Sequence, residues 1–147
     1  IMRTLLVAVI LAFSTGVAVV NADNDRVVTK NALPAKAQAF IAEYFAGKDI
    51  VAAKEEREFR VNSFEVLLTD GVKLEFYKNG TWKEVDCRNN AVPAGIVPAK
   101  IASYVNAHYP GVKIVKIDFD KYDYEVNLSN GLELTFNKRF KIVDVDN

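Results

Sequence analysis

The 147 residues include one cysteine, Cys87, and one histidine, His108, the first side chains to test for nucleophilic chemistry. A thiol or hydroxyl nucleophile needs a base within hydrogen-bonding reach and a third group that orients the base. His108 falls on the apolar stripe of a helical pattern, in the place that Tyr44 holds in an earlier, similar pattern. It reads as a half-buried packing residue like that tyrosine. Cys87 reads as a small buried apolar residue, the alternative being a surface thiol that links two chains. One cysteine excludes an internal disulfide framework and a thiolate zinc cluster, and one histidine excludes most histidine-based metal sites. Carboxylates are plentiful, among them Glu55-Glu56, Asp118 with Asp120, and Asp144 with Asp146. A general acid and base pair needs burial and divergent pKa values, whereas solvated strands ordinarily carry such residues. The chain therefore reads as a protein without catalytic activity.

Asp118, Asp120 and Asp123 place three carboxylates in six residues, and oxygen ligands of this kind suit calcium. The spacing departs from an EF-hand loop. Tyr122 stands where a third ligand would fall, the turn glycine is absent, and Ser129 occupies the place of the bidentate glutamate. A solvated acidic turn is the plainer reading, calcium is the alternative, and no other cofactor is indicated. Lysine plus arginine number 19 and aspartate plus glutamate also 19, so no surplus charge draws the chain to nucleic acid or to an anionic membrane surface.

The elements that must position these residues begin after residue 22. Arg3 precedes the apolar run Thr4 to Phe13, which is followed by small and weakly polar residues up to Val20-Asn21-Ala22. This is the pattern of a secretory signal peptide cut after Ala22. The run is short of the roughly 20 residues that a membrane span needs, and no cysteine follows it to carry a lipid. The mature chain is expected in the periplasm or outside the cell, with no membrane anchor.

The mature chain says the same thing twice. Leu33-Pro34-Ala35-Lys36 recurs as Val97-Pro98-Ala99-Lys100, and each opens a helical pattern that runs into a glycine, Gly47 or Gly111. Leu33, Ala37, Phe40, Ile41, Tyr44 and Phe45 form one helical stripe; Val97, Ile101, Tyr104, Val105, His108 and Tyr109 form the other. The prolines fit the first helical position. Downstream, the stretch from Phe64 to Phe76 recurs from Tyr124 to Phe136, with four extra residues around Glu56 to Ser63 that lengthen a hairpin in the first copy. Tyr122, Tyr124, Val126 and Leu128 alternate with polar residues, as do Leu132, Leu134 and Phe136, which is the period of half-buried strands. Asp70-Gly71, Asn130-Gly131 and Asn79-Gly80 read as two-residue hairpin turns. The expected organisation is a signal peptide over 1–22, an N-terminal segment over 23–32, one repeat over 33–90, a linker over 91–96 and a second repeat over 97–147.

One helix and several strands per repeat predict an α+β fold, an antiparallel sheet with the helices on one face and the other face open. Strand alternation with Val72, Leu74 and Phe76 inward sends Lys73, Glu75 and Tyr77 outward. With Val85 inward, Trp82 and Glu84 point outward too. Exposed aromatics anchor protein interfaces, so Trp82 and Tyr77, with Leu67 beside them and Phe140 and Ile142 extending the patch, form a candidate partner-binding surface. Lys73, Glu75 and Glu84 would be its charged rim. The competing reading folds Trp82 back to fill a gap in a small core.

The Pro-Ala-Lys pattern, the hairpin pattern F/Y-E-V-x-L-x-D/N-G-x-x-L-x-F and the closing run from Phe76 to Asp86 resemble the PepSY-like, β-lactamase-inhibitor-like periplasmic proteins, over Leu33 to Asp146. The resemblance implies a sheet whose concave face grips a partner protein in the cell envelope, in an inhibitory or regulatory role. The alternative is a calcium-linked structural or regulatory envelope module without inhibitory activity. The second copy departs from the pattern, with Arg139-Phe140-Lys141 in place of Asn79-Gly80-Thr81 and Ile142 in place of Trp82, which speaks against two equivalent binding sites.

Overall fold

The computed structural model describes residues 25–58 and 61–147, so the expected signal peptide lies outside the described residues. The architecture is α+β: two helices and one antiparallel sheet of nine strands, in which every strand lies beside its neighbours in sequence. The strands are β1 Arg26–Val27, β2 Ile50–Glu58, β3 Val61–Leu68, β4 Lys73–Tyr77, β5 Trp82–Asp86, β6 Ile114–Phe119, β7 Asp123–Leu128, β8 Glu133–Asn137 and β9 Ile142–Asp146. Helix α1 (Ala35–Tyr44) precedes β2 and helix α2 (Ala99–His108) precedes β6. The extra residues of the first half lie in the long hairpin of β2 and β3.

Each helix starts on a proline that cannot donate a backbone hydrogen bond and is not asked to. Pro34 and Pro98 sit one position before the first helical residue, at the cap. The Pro34 carbonyl accepts from the Gln38 amide at 3.1 Å, and that of Pro98 from Ile101 and Ala102 at 3.0 Å each. Gly47 and Gly111, both at positive φ, lie just past the helix ends. The helical stripes are buried through Leu33, Ala37, Ile41 and Phe45, and through Val97, Ile101 and Val105. Phe40 meets Phe76 edge-on at 5.6 Å, and Tyr104 meets Phe136 in the same way at 5.3 Å. These contacts place both helices on the sheet face of Val66, Leu74, Phe76, Val85, Ile117, Val126, Leu134 and Phe136, all of them fully buried in one continuous cluster.

Three local expectations are corrected. The hairpin turns have three residues, because Leu68 bonds Val72 across Thr69–Gly71, Tyr77 bonds Thr81 across residues 78–80, and Leu128 bonds Leu132 across residues 129–131. In each, glycine takes the left-handed position that ends a three-residue loop: φ is 80° at Gly71, 91° at Gly80 and 94° at Gly131. The stretch expected to be a linker is packed, with Val92 and Ile96 buried and the Val92 amide donating to the Ile114 carbonyl at 2.8 Å. His108 is exposed rather than half-buried: its ring stacks on Tyr104 at a centroid distance of 4.0 Å, with Nδ1 3.0 Å from the Tyr104 carbonyl. A residue at the end of a helical stripe runs past the rim of the sheet, which periodicity does not reveal.

The turn between β4 and β5 lies against the start of α1, where Lys36 Nζ donates to Thr81 Oγ1 at 3.1 Å. A Cβ on Gly80 would stand 2.9 Å from Lys36 Cβ, 3.0 Å from Pro34 Cβ and 3.1 Å from the Ala37 amide nitrogen. In the corresponding turn of β8 and β9, Phe140 takes up the same left-handed geometry, at φ 64°. Gly80→Ala is expected to cost roughly 2–4 kcal/mol, combining positive φ with overpacking. Gly111→Ala, where φ is 82° but nothing lies within 4 Å, should cost only about 1 kcal/mol. Equilibrium urea unfolding of both variants checks the difference.

Candidate functional site

The face opposite the helices carries the outward residues of every strand, and strand register decides which of them stand side by side. Lys54 pairs with Glu65, Glu65 with Glu75, Glu75 with Glu84, Glu84 with Asp118, and Asp118 with Glu125. The row continues through Thr135 to Asp144. Five carboxylates, from Glu65 to Glu125, thus stand in consecutive cross-strand positions, where side chains approach to about 5 Å and like charges repel. A parallel row runs Leu67, Lys73, Asp86, Lys116, Asn127, Glu133 and Asp146.

Lysines compensate one end of the carboxylate row. Lys73 reaches Glu84 at 3.3 Å and both Glu65 and Glu75 at 3.6 Å; Lys54 reaches Glu65 at 3.3 Å and Lys83 reaches Glu75 at 3.8 Å. Burial by itself lowers the Lys73 ammonium, but Glu84, Glu75 and Glu65 outweigh it and hold the group above its ordinary value. Toward Asp118 and Glu125 the compensation weakens: among the described residues neither makes an ion pair, and Lys116 bridges Glu84 at 3.8 Å. Burial, with Glu125 next and Glu84 and Glu133 adding, pushes the Asp118 carboxyl from 3.8 up to about 6 against the pull of Lys116. Glu125 is raised by burial and then by Glu133. Two buried oxygens on this face, Glu84 Oε2 and Asn127 Oδ1, accept no hydrogen bond, although the Lys73 ammonium stands near the former.

At the β1 end the face has an apolar recess of about 400 Å³ lined by Val27, Ala52, Ala53 and Leu67, with Lys54, Glu65 and Lys73 at its rim. Val27 is 85% exposed beside it. The open face thus combines charge along most of the sheet with one apolar hollow at its edge.

The expected site residues divide. Leu67, Lys73, Glu75 and Glu84 lie on the open face as expected, and Tyr77 keeps the outward phase. Tyr77 is tied to the sheet margin, its hydroxyl donating to the Phe119 carbonyl at 2.6 Å. Trp82, Phe140 and Ile142 do not join them. A bulge in β5 sets Glu84 opposite Glu75 but Trp82 opposite Phe76, so strand alternation breaks at Lys83 and the indole turns to the helix side. There Trp82 packs on the core, meets Phe119 edge-on at 4.7 Å, and borders a hollow between α1 and Gly95-Ile96. The same bulge in β9 sets Ile142 opposite Phe136. Phe140 lies 5.5 Å from Tyr124, and both it and Ile142 pack on the core. Strict alternation over Trp82 to Val85 was the error, and a bulge centred on a charged residue leaves no hydrophobic signal.

The carboxylates proposed for calcium are separated. Asp118 lies on the open face, whereas Asp120 Oδ1 accepts from the Tyr122 amide at 2.7 Å and the Asp123 amide at 2.9 Å, closing the turn. Among the described residues no group of three His, Cys, Asp or Glu side chains is arranged to hold a metal ion. Cys87 is buried and unpaired, its thiol pushed up to about 11 by burial and then by Asp86, which leaves little thiolate for chemistry. Glu65 and Glu125 were not singled out from the sequence, and Asp118 was singled out only as a possible calcium ligand; their polar, outward phase was legible, but their adjacency depends on register across five strands.

The sequence pattern of the family described as "Putative beta-lactamase-inhibitor-like, PepSY-like" matches residues 62–144. No curated protein matches the chain. Three solved structures resemble it closely. A "putative periplasmic protein from DUF2874 family" of Bacteroides vulgatus has 45% identity and a TM-score of 0.84 over 86% of this chain and 100% of its own. A "putative calcium-regulated periplasmic protein" of Bacteroides thetaiotaomicron has 45% identity and a TM-score of 0.83 over the same shares. A "putative periplasmic protein of unknown function", also of Bacteroides vulgatus, has 36% identity and a TM-score of 0.81 over 84% of this chain and 100% of its own. The location is periplasmic, as in these relatives and as the N-terminal apolar run leads one to expect. With more than half of its residues matched by the family pattern, and with the open-faced antiparallel sheet just described, the chain belongs to the PepSY-like, beta-lactamase-inhibitor-like family.

Proposed function

We propose that this chain is a non-catalytic protein-binding module of the periplasm, an inhibitor or regulator of an envelope enzyme, that receives a cationic segment of its partner across the open sheet face. The observation that carries this reading is the carboxylate row from Glu65 to Glu125. Like charges at directly paired positions weaken a sheet, and among the described residues Asp118 and Glu125 make no ion pair, Lys116 acting on them only at longer range. A partner's lysine or arginine side chains would relieve that repulsion, and the recess at Leu67 would take an apolar side chain. The two helix-plus-four-strand halves are, in the same proposal, tandem copies of one unit. Their matching order of elements and the bulges at corresponding places in β5 and β9 support this.

A second reading links the protein to calcium without inhibition. It is favoured by the 45% identical relative described as calcium-regulated and by the oxygen-rich end of the open face. Calcium binding to the folded state would raise the melting temperature in proportion to the logarithm of its concentration. The first reading expects no difference in melting temperature between calcium and chelator.

Two measurements test the binding reading. The first is stability against pH. Because the folded-state pKa of Asp118 is raised from 3.8 to about 6, ionisation at neutral pH works against folding; the stability present below 3.8 is lost as pH rises through about 6. Asp118→Asn is therefore expected to stabilise the protein at pH 7 by about 1 kcal/mol, after allowance for solvent screening. The advantage should shrink as the pH falls through about 6 and be gone near 3.8. Denaturant unfolding over that range checks it. The second is affinity capture from the native periplasm at low and high salt, with and without chelator. A partner held by the open face should be released by salt, lost with Asp118→Lys and Glu125→Lys together, and retained by Trp82→Ala. That tryptophan variant should instead lower stability by about 2–4 kcal/mol, as expected for a truncated packing aromatic. Capture unaffected by the two charge reversals would sink the reading, and capture abolished by chelator would favour the calcium one.

A further inference from the structure

Strands β5 and β9 hold equivalent places at the end of each half of the sheet, one in its middle and the other at its outer edge. Within the chain, β5 is flanked on its outer side by β6: Glu84 pairs with Asp118, Val85 with Ile117 and Asp86 with Lys116, and the Cys87 amide donates to the Val115 carbonyl at 2.9 Å. Strand β9 stands on β8 in the register in which β5 stands on β4. Asp144, Val145 and Asp146 face Thr135, Leu134 and Glu133, just as Glu84, Val85 and Asp86 face Glu75, Leu74 and Lys73, with the bulge at the same point. Among the described residues nothing pairs with the outer edge of β9. Val85 is fully buried, whereas Val145 is 48% exposed and Val143 54%. An edge strand with free backbone donors and acceptors and two exposed valines is a template for another strand.

We infer that β9 is a docking edge for an extended strand of a partner protein, added antiparallel to the sheet, with basic residues opposite Asp144 and Asp146 and an apolar residue opposite Val145. The β5–β6 joint is the template for this geometry. The bulge does not prevent pairing, because β5 carries the same one and pairs beyond it. The apolar position and the basic one opposite Asp146 follow from Ile117 against Val85 and Lys116 against Asp86; opposite Asp144, where β5 sets Glu84 against Asp118, the basic residue follows from charge complementarity to the exposed aspartate.

A second copy of this chain fits less well. Antiparallel pairing of β9 with itself about Asp144 sets that carboxylate against its own copy and Asp146 against Ile142. Head-to-tail pairing with β2 meets an edge already taken by β1, where Arg26 pairs with Glu55 and Val27 with Lys54, and where Arg26 Nη2 binds Glu55 Oε1 at 2.8 Å. A different protein satisfies the edge at no such cost. The inference does not depend on the open-face proposal, since the edge and the face are distinct surfaces of the sheet.

The test uses the mature protein and a synthetic peptide copied from residues 112–118 with its last residue, the aspartate, replaced by lysine, which supplies the alternation of basic and apolar residues. Its control carries glutamate at every lysine position. Backbone amide shifts by NMR should localise to 142–147 on addition of the basic peptide, with slowed amide exchange along β9. The glutamate peptide should bind at least about tenfold more weakly. Asp144→Lys combined with Val145→Lys should weaken the basic peptide by a similar factor while leaving the unfolding midpoint nearly unchanged, because both side chains are exposed. Shifts confined to Glu84, Asp118 and Glu125 would overturn the edge assignment and favour the open face. No binding at millimolar peptide would overturn it as well, as would concentration-dependent dimerisation of the free protein through β9, which would make a second copy the occupant.

Discussion

The joint between β5 and β6 holds the molecule together, because without it each half is one helix on a small sheet with a core too small to be stable alone. Three residue pairs make the joint, helped by backbone bonds from Cys87 to Val115 and from Val92 to Ile114. The pairing brings Val85 and Ile117 side by side at full burial, and so merges the two apolar layers into one. The packed segment from Val92 to Val97 reinforces it from the helix side. This is why a stretch with Pro and Gly and no periodicity is nonetheless part of the core.

The same joint creates the protein's main electrostatic difficulty. Setting Val85 against Ile117 obliges Glu84 to stand against Asp118 on the other face, since side chains alternate across a strand. Lys73 answers for three carboxylates at once, but among the described residues no cation pairs with Asp118 or Glu125 in this way. Hydrophobic register thus wins over surface charge, as the magnitudes require. A fully buried valine or isoleucine contributes roughly 1.5–3 kcal/mol, while a cross-strand like-charge pair opposes it by roughly 0.2–1 kcal/mol.

Much of the architecture was legible because it is written in periodicity. The spacing of Ala37, Ile41 and Phe45, and the alternation of Leu74 with Phe76 and of Leu134 with Phe136, marked the buried side of each element. Lys73, Glu75 and Glu84 were placed on the open face by the same rule. What escaped depends on two strands at once or on backbone detail. The bulge that turns Trp82 and Ile142 to the helix side adds one residue to a strand without altering its composition. The carboxylate row exists only after β3 to β7 are set in register. Phe140 at a left-handed position was invisible because glycine, present at Gly80, is the residue that ordinarily announces it. Tyr77 was read correctly in phase, but the bond from its hydroxyl to the Phe119 carbonyl joins strands distant in sequence and leaves no trace in the alternation.

The neighbour-to-neighbour order of all nine strands also bears on how the chain reaches this state. Hairpins joined by three-residue loops close over short distances, and the entropy lost in closing a loop grows with its length. Topologies dominated by such local pairings fold fast for their size. Two connections differ, each carrying a whole helix: the passage from Val27 to Ile50, which only adds the two-residue edge strand β1, and the passage from Asp86 to Ile114, which must pack α2 before β6 can pair with β5. Each half can form its hairpins without the other, so the order of strands makes this central junction the last large loss of chain entropy and the natural rate-limiting event of folding.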